Sequence, residues 1–255
     1  MHQLRLFFTA LQFFTRLPIP RWVGFDPAWL NQASRYFPLV GVVVALITAA
    51  VYAAAACLLP APVAAILSTA AGIYATGAFH EDGFADMCDG FGGGMTAERV
   101  LEIMKESRIG AYGAIGIICM LALKLTALSM LPPLSAIGAL LVAHPLSRLM
   151  ATSLIWRLDY ARAEGKAKPL AQKMRGREFL IATLTATLPA LAVVALGWLT
   201  PGALITGIVV ATIATFWLAR KCVRRIGGYT GDCLGAVQQV AEVMFYLCAL
   251  ASVQP

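Results

Sequence analysis

Charged residues are scarce in this chain of 255 residues: they make up 13% of it, whereas apolar residues make up 60%. Soluble proteins are roughly 45–50% apolar, so the composition excludes a soluble domain of any size. Seven apolar segments are each long enough to cross about 30 Å of hydrocarbon; they are 37–59, 62–79, 110–131, 133–156, 179–199, 201–219 and 233–253. The sequence therefore predicts an all-α, polytopic transmembrane bundle of about seven crossings, as one integral membrane domain over 1–255.

Signatures of several other classes are missing. The six cysteines include no CxxC pair, which argues against a zinc site and a disulfide framework. No G-x-x-x-x-G-K-[ST] motif is present, so we expect no P-loop. The N-terminus does not resemble a cleaved signal peptide, because Pro18 and Pro20 follow its short apolar run. We interpret residues 3–17 as an aromatic-rich helix that lies at the membrane interface.

Basic residues are distributed unevenly between the two sides of such a bundle. If the chain crosses seven times, four connections on one side hold 18 of the 20 basic residues. The positive-inside rule then places the N-terminus in the cytoplasm and the C-terminus outside, across a bacterial inner membrane. A nucleic-acid partner is not expected, because the bases are spread over four membrane-bound loops. The most basic connection carries Arg157, Arg162, Lys166, Lys168, Lys173, Arg175 and Arg177.

Acidic residues concentrate at one membrane border. Four of only 13 acids fall within the run His80-Glu81-Asp82-Gly83-Phe84-Ala85-Asp86-Met87-Cys88-Asp89-Gly90. If helix 62–79 continues past residue 80, Asp82, Asp86 and Asp89 share one stripe. Glu81 points about 100° away, so it is a candidate to support those metal ligands or to bind a second metal ion. Such carboxylates are costly unless a cation neutralises them, and oxygen ligands suit Mg²⁺, Mn²⁺ or Ca²⁺. A solvated acidic loop is the alternative, but it would not need the interleaved apolar residues.

Two further polar stretches are predicted on the same side of the membrane. Thr96 can cap a short helix, after which Lys105, Ser107 and Arg108 offer groups suited to phosphate oxygens. The alternative is a surface helix of ion pairs with the acids interleaved there. The run Gly227-Gly228-Tyr229-Thr230-Gly231-Asp232 suits either a ligand loop or a plain turn.

Four ionisable residues lie inside predicted crossings. His144 and Arg148 are one turn apart, so they could lie near the anionic site or only snorkel and form hydrogen bonds within the bundle. Glu242 could pair with a buried base or face the active cavity, and the role of Lys124 stays open. Metal and cations at a membrane border fit transfer of a phosphoryl-linked group between a soluble and a membrane-associated substrate.

Ordered sequence blocks resemble one family over most of the chain. The acidic run resembles the H-x-D-G-x-A-D-x-x-D-G signature of the cobalamin synthase (adenosylcobinamide-GDP ribazoletransferase) family. Other blocks of that family resemble Phe14-Thr15-Arg16-Leu17-Pro18, Phe37-Pro38-Leu39-Val40-Gly41, Glu102-Ile103-Met104-Lys105-Glu106-Ser107-Arg108-Ile109-Gly110 and Gly228-Tyr229-Thr230-Gly231-Asp232. The resemblance implies an Mg²⁺-dependent membrane enzyme that joins α-ribazole, or its 5′-phosphate, to adenosylcobinamide-GDP and releases GMP.

The resemblance also implies roles for particular residues. Asp82, Asp86 and Asp89 carry over as the metal and diphosphate site, whereas Glu81 occupies a variable position of the signature. Candidates for substrate binding are Lys105, Ser107, Arg108, Arg16, His144, Arg148, Tyr229 and Thr230. The general base stays open between His80, Asp89 and Asp232.

Two alternative functions and three partners complete the expectations. A phosphotransferase of the CDP-alcohol type would use similar acids to make a phospholipid, but the chain lacks that family's D-x₂-D-G-x₂-A-R opening. A transporter or channel with an acidic gate would place carboxylates across a pore, whereas these acids cluster in one stretch. The bilayer is the expected partner, and the sequence leaves room for a homo-oligomer and for association with other cobalamin-assembly enzymes.

Overall fold

The computed structural model describes residues 1–24, 26–162 and 174–253, so the predicted basic residues Lys166, Lys168 and Lys173 lie outside the described residues. Eleven α-helices form in these ranges, and no β-strand does, apart from one isolated bridge. Seven long helices are α3 (Phe37–Ala56), α4 (Ala61–Thr76), α7 (Ala111–Met130), α8 (Pro133–Arg157), α9 (Gly176–Ala195), α10 (Pro201–Ile226) and α11 (Gly231–Ala251). The shorter ones are α1 (His2–Phe14), α2 (Pro27–Ala33), α5 (Phe79–Gly93) and α6 (Ala97–Ile103).

The long helices lie where the apolar segments predicted crossings. Among the described residues, six helical stretches are long and apolar enough to span a membrane, and the bent pair α4–α5 raises the number to seven. Proline lies in the first turn of α3, α4, α8 and α10, where its missing N–H costs no helical hydrogen bond. The predicted all-α, multi-pass membrane bundle is therefore confirmed.

Helices α8 and α11 form the centre of the bundle. About seven-tenths of the apolar window of each is buried, 67% for α8 and 72% for α11, against 22–28% for α7, α9 and α10. The outer helices expose large apolar side chains such as Leu188 and Ile213. This distribution suits lipid contact around the outside of the bundle, since lipid tails are as apolar as these side chains.

The expected continuation of helix 62–79 past residue 80 is wrong. Helix α4 ends at Thr76, and α5 leaves it at an angle of 89°. Gly77 ends α4 in the left-handed conformation with φ of 65°, and Ala78 has a φ of 60°. Glycine adopts this conformation at little cost, which is why it commonly ends helices. The acidic run therefore begins a new helix, α5, that turns away from the direction of the crossing.

Helix α1 packs against the starts of α3 and α5. Its buried face includes Leu6, Ala10 and Phe14, and the Phe14 ring lies 4.4 Å from the ring of Phe37 at the start of α3. The predicted N-terminal helix is confirmed, although it ends three residues earlier than expected. Its C-terminal end brings aromatic rings next to α5.

Candidate active site

A polar cavity of about 680 Å³ lies where α5, the segment after α6 and the start of α11 meet. Acidic and basic side chains face each other in it, together with a few aromatic ones. The lining includes Phe13, Phe79, Asp82, Asp86, Lys105, Glu106, Ser107, Arg108, Tyr160, Arg162 and Asp232. We call this the acid–base cavity. It brings together residues from five separate parts of the sequence.

Two glycines let α5 and α11 touch backbone to backbone beside the acid–base cavity. A Cβ atom at Gly83 would lie 3.0 Å from the Asp232 Cα, and one at Gly235 would lie 3.0 Å from the His80 carbonyl oxygen. Such distances are tighter than most real contacts of a Cβ atom, and backbone yields little, so glycine at both positions favours the close crossing. As a result, Asp232 in the first turn of α11 faces the same cavity as Asp82 on α5.

The carboxylates of the acid–base cavity are only partly neutralised. Burial, together with the negative charges of Asp82 and Asp232, raises the pKa of Asp86 to about 7, while the charge of Arg162 opposes this shift. The Arg162 Nη2 lies 2.9 Å from the Asp232 Oδ2. Carboxylates raise one another's pKa when they lie close without sufficient positive charge. The cavity therefore favours an additional cation next to Asp82 and Asp86.

Asp89 has a different environment from the other two aspartates of its helix. It is buried, and its two oxygens accept hydrogen bonds from the Gly110 N–H at 2.7 Å and the Gly113 N–H at 2.8 Å. A Cβ atom at either glycine would run into this carboxylate. Asp89 thus caps the start of α7, a position at which a negative charge also stabilises the helix dipole. It does not line the acid–base cavity, so the structure separates it from Asp82 and Asp86.

Glu81 and His80 point into the bundle and away from the acid–base cavity. Glu81 Oε1 accepts a hydrogen bond from Gln239 Nε2 at 3.0 Å. His80 is buried, and its ring stacks on that of Phe14 with centroids 5.6 Å apart. Of the three candidates for the general base, Asp232 is the one that lines the cavity.

A buried polar cluster on α7, α8 and α11 contains the remaining intramembrane residues. Lys124 Nζ lies 2.6 Å from Glu242 Oε1, and His144 Nδ1 lies 3.1 Å from Glu242 Oε2. Arg148 donates a hydrogen bond to the His144 carbonyl oxygen at 3.0 Å. The open question about Glu242 is answered: it pairs with a buried base. These four residues and Glu81 line a gap of about 20 Å³. None of the four lines the acid–base cavity.

The cationic stretch after α6 lies opposite the aspartates. Thr96 caps α6 by accepting a hydrogen bond from the Arg99 N–H at 3.3 Å, as predicted. The helix ends at Ile103, so Lys105 and Arg108 follow it in an irregular segment instead of sharing one helical face. Within the described residues neither side chain is in an ion pair; the interleaved acids pair with Arg99 instead. Two cations are therefore available to an anionic ligand.

An extended segment after α8 carries site residues that the sequence analysis did not single out. Ala161 N–H donates to the Tyr229 carbonyl oxygen at 2.9 Å, and Tyr229 N–H donates to the Asp159 carbonyl oxygen at 3.0 Å. This pairing holds Tyr160 and Arg162 at the cavity wall. In the sequence, Arg162 contributes only to the prediction of membrane topology, since no motif marks it. Its place depends on a contact with residues almost seventy positions later.

The other predicted substrate-binding residues support the site from outside its lining. Thr230 caps α11 and donates a hydrogen bond to Asp232 Oδ2 at 3.2 Å. Tyr229 is buried beneath Tyr160, with ring centroids 5.5 Å apart. The Arg16 guanidinium packs against Gly77 at the α4–α5 bend and lies 5.8 Å from the ring centroid of Tyr74.

The donor set of the acid–base cavity is suitable for a hard divalent cation. Within the described residues no group of three or more His, Cys, Asp or Glu side chains is arranged to hold a metal ion. Mg²⁺ does not need such a cage, because it is usually held by one or two carboxylates together with substrate phosphates and water. Asp82 and Asp86 fit this description, since both contribute carboxylates to one cavity in which the pKa of Asp86 is raised.

Fold and site together define a multi-pass α-helical membrane protein with a cavity suited to a phosphorylated ligand at the end of its bundle. The sequence comparisons identify the family. A model of the CobS family, described as cobalamin-5-phosphate synthase, matches residues 6–250, so this chain belongs to that family. No solved structure matches the chain.

Curated relatives agree over almost their whole length. The chain is 45% identical over 262 residues to the adenosylcobinamide-GDP ribazoletransferase of Shewanella frigidimarina, with 98% of this chain and 96% of the relative covered. It is 46% identical to the protein of that name from Ralstonia pickettii, with 95% and 94% covered. The corresponding protein of Leptothrix cholodnii is 44% identical, with 99% and 97% covered. These relatives do not favour the phospholipid-synthesising alternative.

Proposed function

We propose that this chain is an adenosylcobinamide-GDP ribazoletransferase that joins α-ribazole, or its 5′-phosphate, to adenosylcobinamide-GDP and releases GMP. The observation that carries the proposal is the acid–base cavity, in which Asp82, Asp86 and Asp232 face Lys105, Arg108 and Arg162. Such a pairing of carboxylates and cations suits a metal-bound diphosphate. The names of the relatives supply the identity of the two substrates.

Positively charged groups would bind the diphosphate of adenosylcobinamide-GDP. Lys105 and Arg108 carry no competing ion pair among the described residues, and Ser107 adds a hydroxyl beside them. Arginine matches phosphate oxygens with two parallel hydrogen bonds, whereas lysine acts as a point charge. The aromatic rings of Phe13, Phe79 and Tyr160 would pack against the less polar parts of the substrates.

Mg²⁺ is the proposed cofactor, and Asp82 and Asp86 would hold it. When bound, the ion would neutralise charge on the diphosphate and withdraw electron density from its oxygens. Asp89 and Glu81 are left out of this ligand set, because Asp89 caps α7 and Glu81 is bonded to Gln239 inside the bundle. The ligand role thus narrows from four acids to two.

The chemistry requires one bond to form and one to break. A ribose hydroxyl oxygen of α-ribazole attacks the phosphorus attached to cobinamide, and the bond from that phosphorus to the bridging oxygen breaks, so that GMP leaves with the electron pair. We assign the hydroxyl proton to Asp232, which lines the cavity and is oriented by Thr230 and Arg162. Lys105 and Arg108 would stabilise the charge that develops on the leaving phosphate.

The bundle would sit in a bacterial inner membrane with the acid–base cavity and the N-terminus in the cytoplasm and the C-terminus in the periplasm. Eighteen of the 20 basic residues support this orientation. It gives a soluble nucleoside and a guanylated substrate access from the compartment that contains GTP. A homo-oligomer and an association with other enzymes of cobalamin assembly stay predictions.

Turnover by the purified protein in liposomes tests this function. Supplied with adenosylcobinamide-GDP, α-ribazole and Mg²⁺, the wild type should release GMP, and a chelator should abolish the reaction until Mg²⁺ is restored. Asp82→Asn and Asp86→Asn should each lower GMP release at least about a hundredfold, because several kcal/mol of charge stabilisation are lost.

Glu98→Gln is the matched control, since Glu98 is an exposed acid on α6 outside the cavity, and its turnover should equal that of the wild type. A parallel incubation with CDP-alcohols and lipid acceptors should yield no phospholipid. Wild-type turnover by both aspartate variants would refute the role of Asp82 and Asp86. Phospholipid synthesis without GMP release would refute the proposed reaction.

A further inference from the structure

A second cavity, of about 690 Å³, lies between α8, α9 and α10, and none of the described residues that line it also lines the acid–base cavity. We call it the lateral groove. Apolar side chains such as Met150, Leu154 and Phe179 form most of its wall. The exposed residues Phe216 and Val223 line its α10 side. Because α9 and α10 are the outer helices of the bundle, the groove opens toward the lipid.

Three arginines gather at one end of the lateral groove. Arg157 is the last residue of α8, and Arg220 and Arg224 lie one turn apart near the end of α10. All three are exposed, and within the described residues none is in an ion pair. The Arg157 Cζ lies 3.8 Å from the ring centroid of Trp156, and the Arg220 Cζ lies 5.4 Å from the ring centroid of Phe216. The aromatic contacts orient the guanidinium groups without neutralising them.

Thr215 supplies a second polar feature farther along the lateral groove. Its side chain lines the groove and is 5% exposed, yet its hydroxyl has no hydrogen-bond partner among the residues that the structure describes. A buried hydroxyl without a partner costs free energy unless a ligand satisfies it. Thr215 lies five residues before Arg220, which is about 7.5 Å along a helix. An amphiphile with an acceptor below its charged group would satisfy both features.

We propose that the lateral groove binds one anionic phospholipid. Its phosphate would contact Arg157, Arg220 and Arg224, an acyl chain would lie along the apolar wall, and a glycerol ester carbonyl would accept a hydrogen bond from Thr215. The choice of an anionic lipid follows from charge complementarity, because three unpaired cations meet an apolar groove whose volume is typical of ligand sites. The arginines also lie in the connections that the basic residues assign to the cytoplasmic leaflet, where anionic lipids are attracted to basic clusters.

Native mass spectrometry of the delipidated protein tests the site. Phosphatidylglycerol and phosphatidylcholine with the same acyl chains are titrated separately onto wild type and onto the double variant Arg220→Gln/Arg224→Gln. Each arginine near a lipid surface contributes about fivefold in affinity, so the double variant should bind phosphatidylglycerol about 25-fold more weakly. Its affinity for phosphatidylcholine should stay near that of the wild type.

The control is Arg21→Gln/Arg177→Gln, which removes two exposed charges outside the groove and should keep the preference for phosphatidylglycerol. Equal binding of both lipids by the wild type would overturn the proposal, as would an equal loss of preference in control and groove variants. Glycerol phosphate is a third titrant, and binding as tight as that of the lipid would reduce the site to one for free phosphate. Melting curves verify folding, and Arg224→Gln alone replaces the double variant if the latter melts early.

Discussion

The buried polar cluster around Glu242 allows one prediction about stability to be worked out closely. Glu242 is 1% exposed and lies 2.6 Å from Lys124 Nζ and 3.1 Å from His144 Nδ1. The substitution Glu242→Gln keeps the shape of the side chain and removes its charge. Lys124, which is 4% exposed, then has uncharged amide oxygens in place of a carboxylate, that of the substituted side chain and that of Gln239 at 3.3 Å. The variant therefore leaves a buried ammonium group without a counter-charge.

The expected cost lies at the lower end of the range for broken buried ion pairs. Removing one partner of such a pair typically costs about 3–5 kcal/mol. A gap of about 20 Å³ adjoins the cluster, which is enough for one water molecule, and a water would partly solvate Lys124. We therefore expect the free energy of unfolding to fall by about 3 kcal/mol, which changes the ratio of folded to unfolded protein by more than a hundredfold.

Unfolding by denaturing detergent, followed by tryptophan fluorescence, would measure the difference. Lys124→Met combined with Glu242→Gln removes both charges, and we expect it to recover most of the loss, because a buried pair can often be replaced by uncharged groups without penalty. Glu102→Gln is the control: it breaks the exposed pair with Arg99 and should cost less than about 1 kcal/mol. A loss below about 1 kcal/mol for Glu242→Gln, or additive losses in the double variant, would refute the reasoning.

Three further predictions concern the acid–base cavity and its support. Gly113→Ala should lower the free energy of unfolding by about 1–3 kcal/mol, because its Cβ would enter the Asp89 carboxylate; Gly202→Ala, with no atom closer than 3.9 Å, should leave a thermal melt unchanged. Asp89→Asn should lower the free energy of unfolding by about 1–3 kcal/mol, since one backbone N–H loses its acceptor. Arg162→Gln should lower kcat at least about tenfold, because Asp232 loses the charge-assisted contact that orients it, whereas Arg99→Gln should leave kcat unchanged.

The positions of the crossings could be predicted because they depend on local composition. The apolar segments, the N-terminal helix and the Thr96 cap all follow from residues close together in sequence, and the structure has them at nearly the expected bounds. The bend between α4 and α5 could not be predicted in the same way, since 62–79 and the acidic run form one uninterrupted helical pattern. Gly77 permits the left-handed turn, but a glycine inside an apolar segment is common in membrane helices. The direction of α5 is decided by its contact with α11.

Arg162 illustrates why part of the site could not be predicted from the sequence. Its side chain reaches Asp232 through a pairing between the segment after α8 and Tyr229. Neither segment has a pattern that predicts a strand, because a single bridge needs no alternation of apolar and polar residues. A basic residue in a connection that is predicted to be cytoplasmic also has a sufficient explanation in topology, so nothing in the sequence distinguishes Arg162 from its basic neighbours.

The four acids of α5 show why residue spacing predicts a shared helix better than a shared function. Asp82 and Asp86 face the acid–base cavity, Glu81 reaches Gln239 inside the bundle, and Asp89 caps α7. Each direction has a neighbour that makes a carboxylate tolerable there: an amide side chain, two backbone N–H groups or, as we propose, a metal ion. Asp89 therefore fixes α5 against α7, and Glu81 fixes it against α11. With α5 supported on two sides, Asp82 and Asp86 are held in place to act, as we propose, on the substrate.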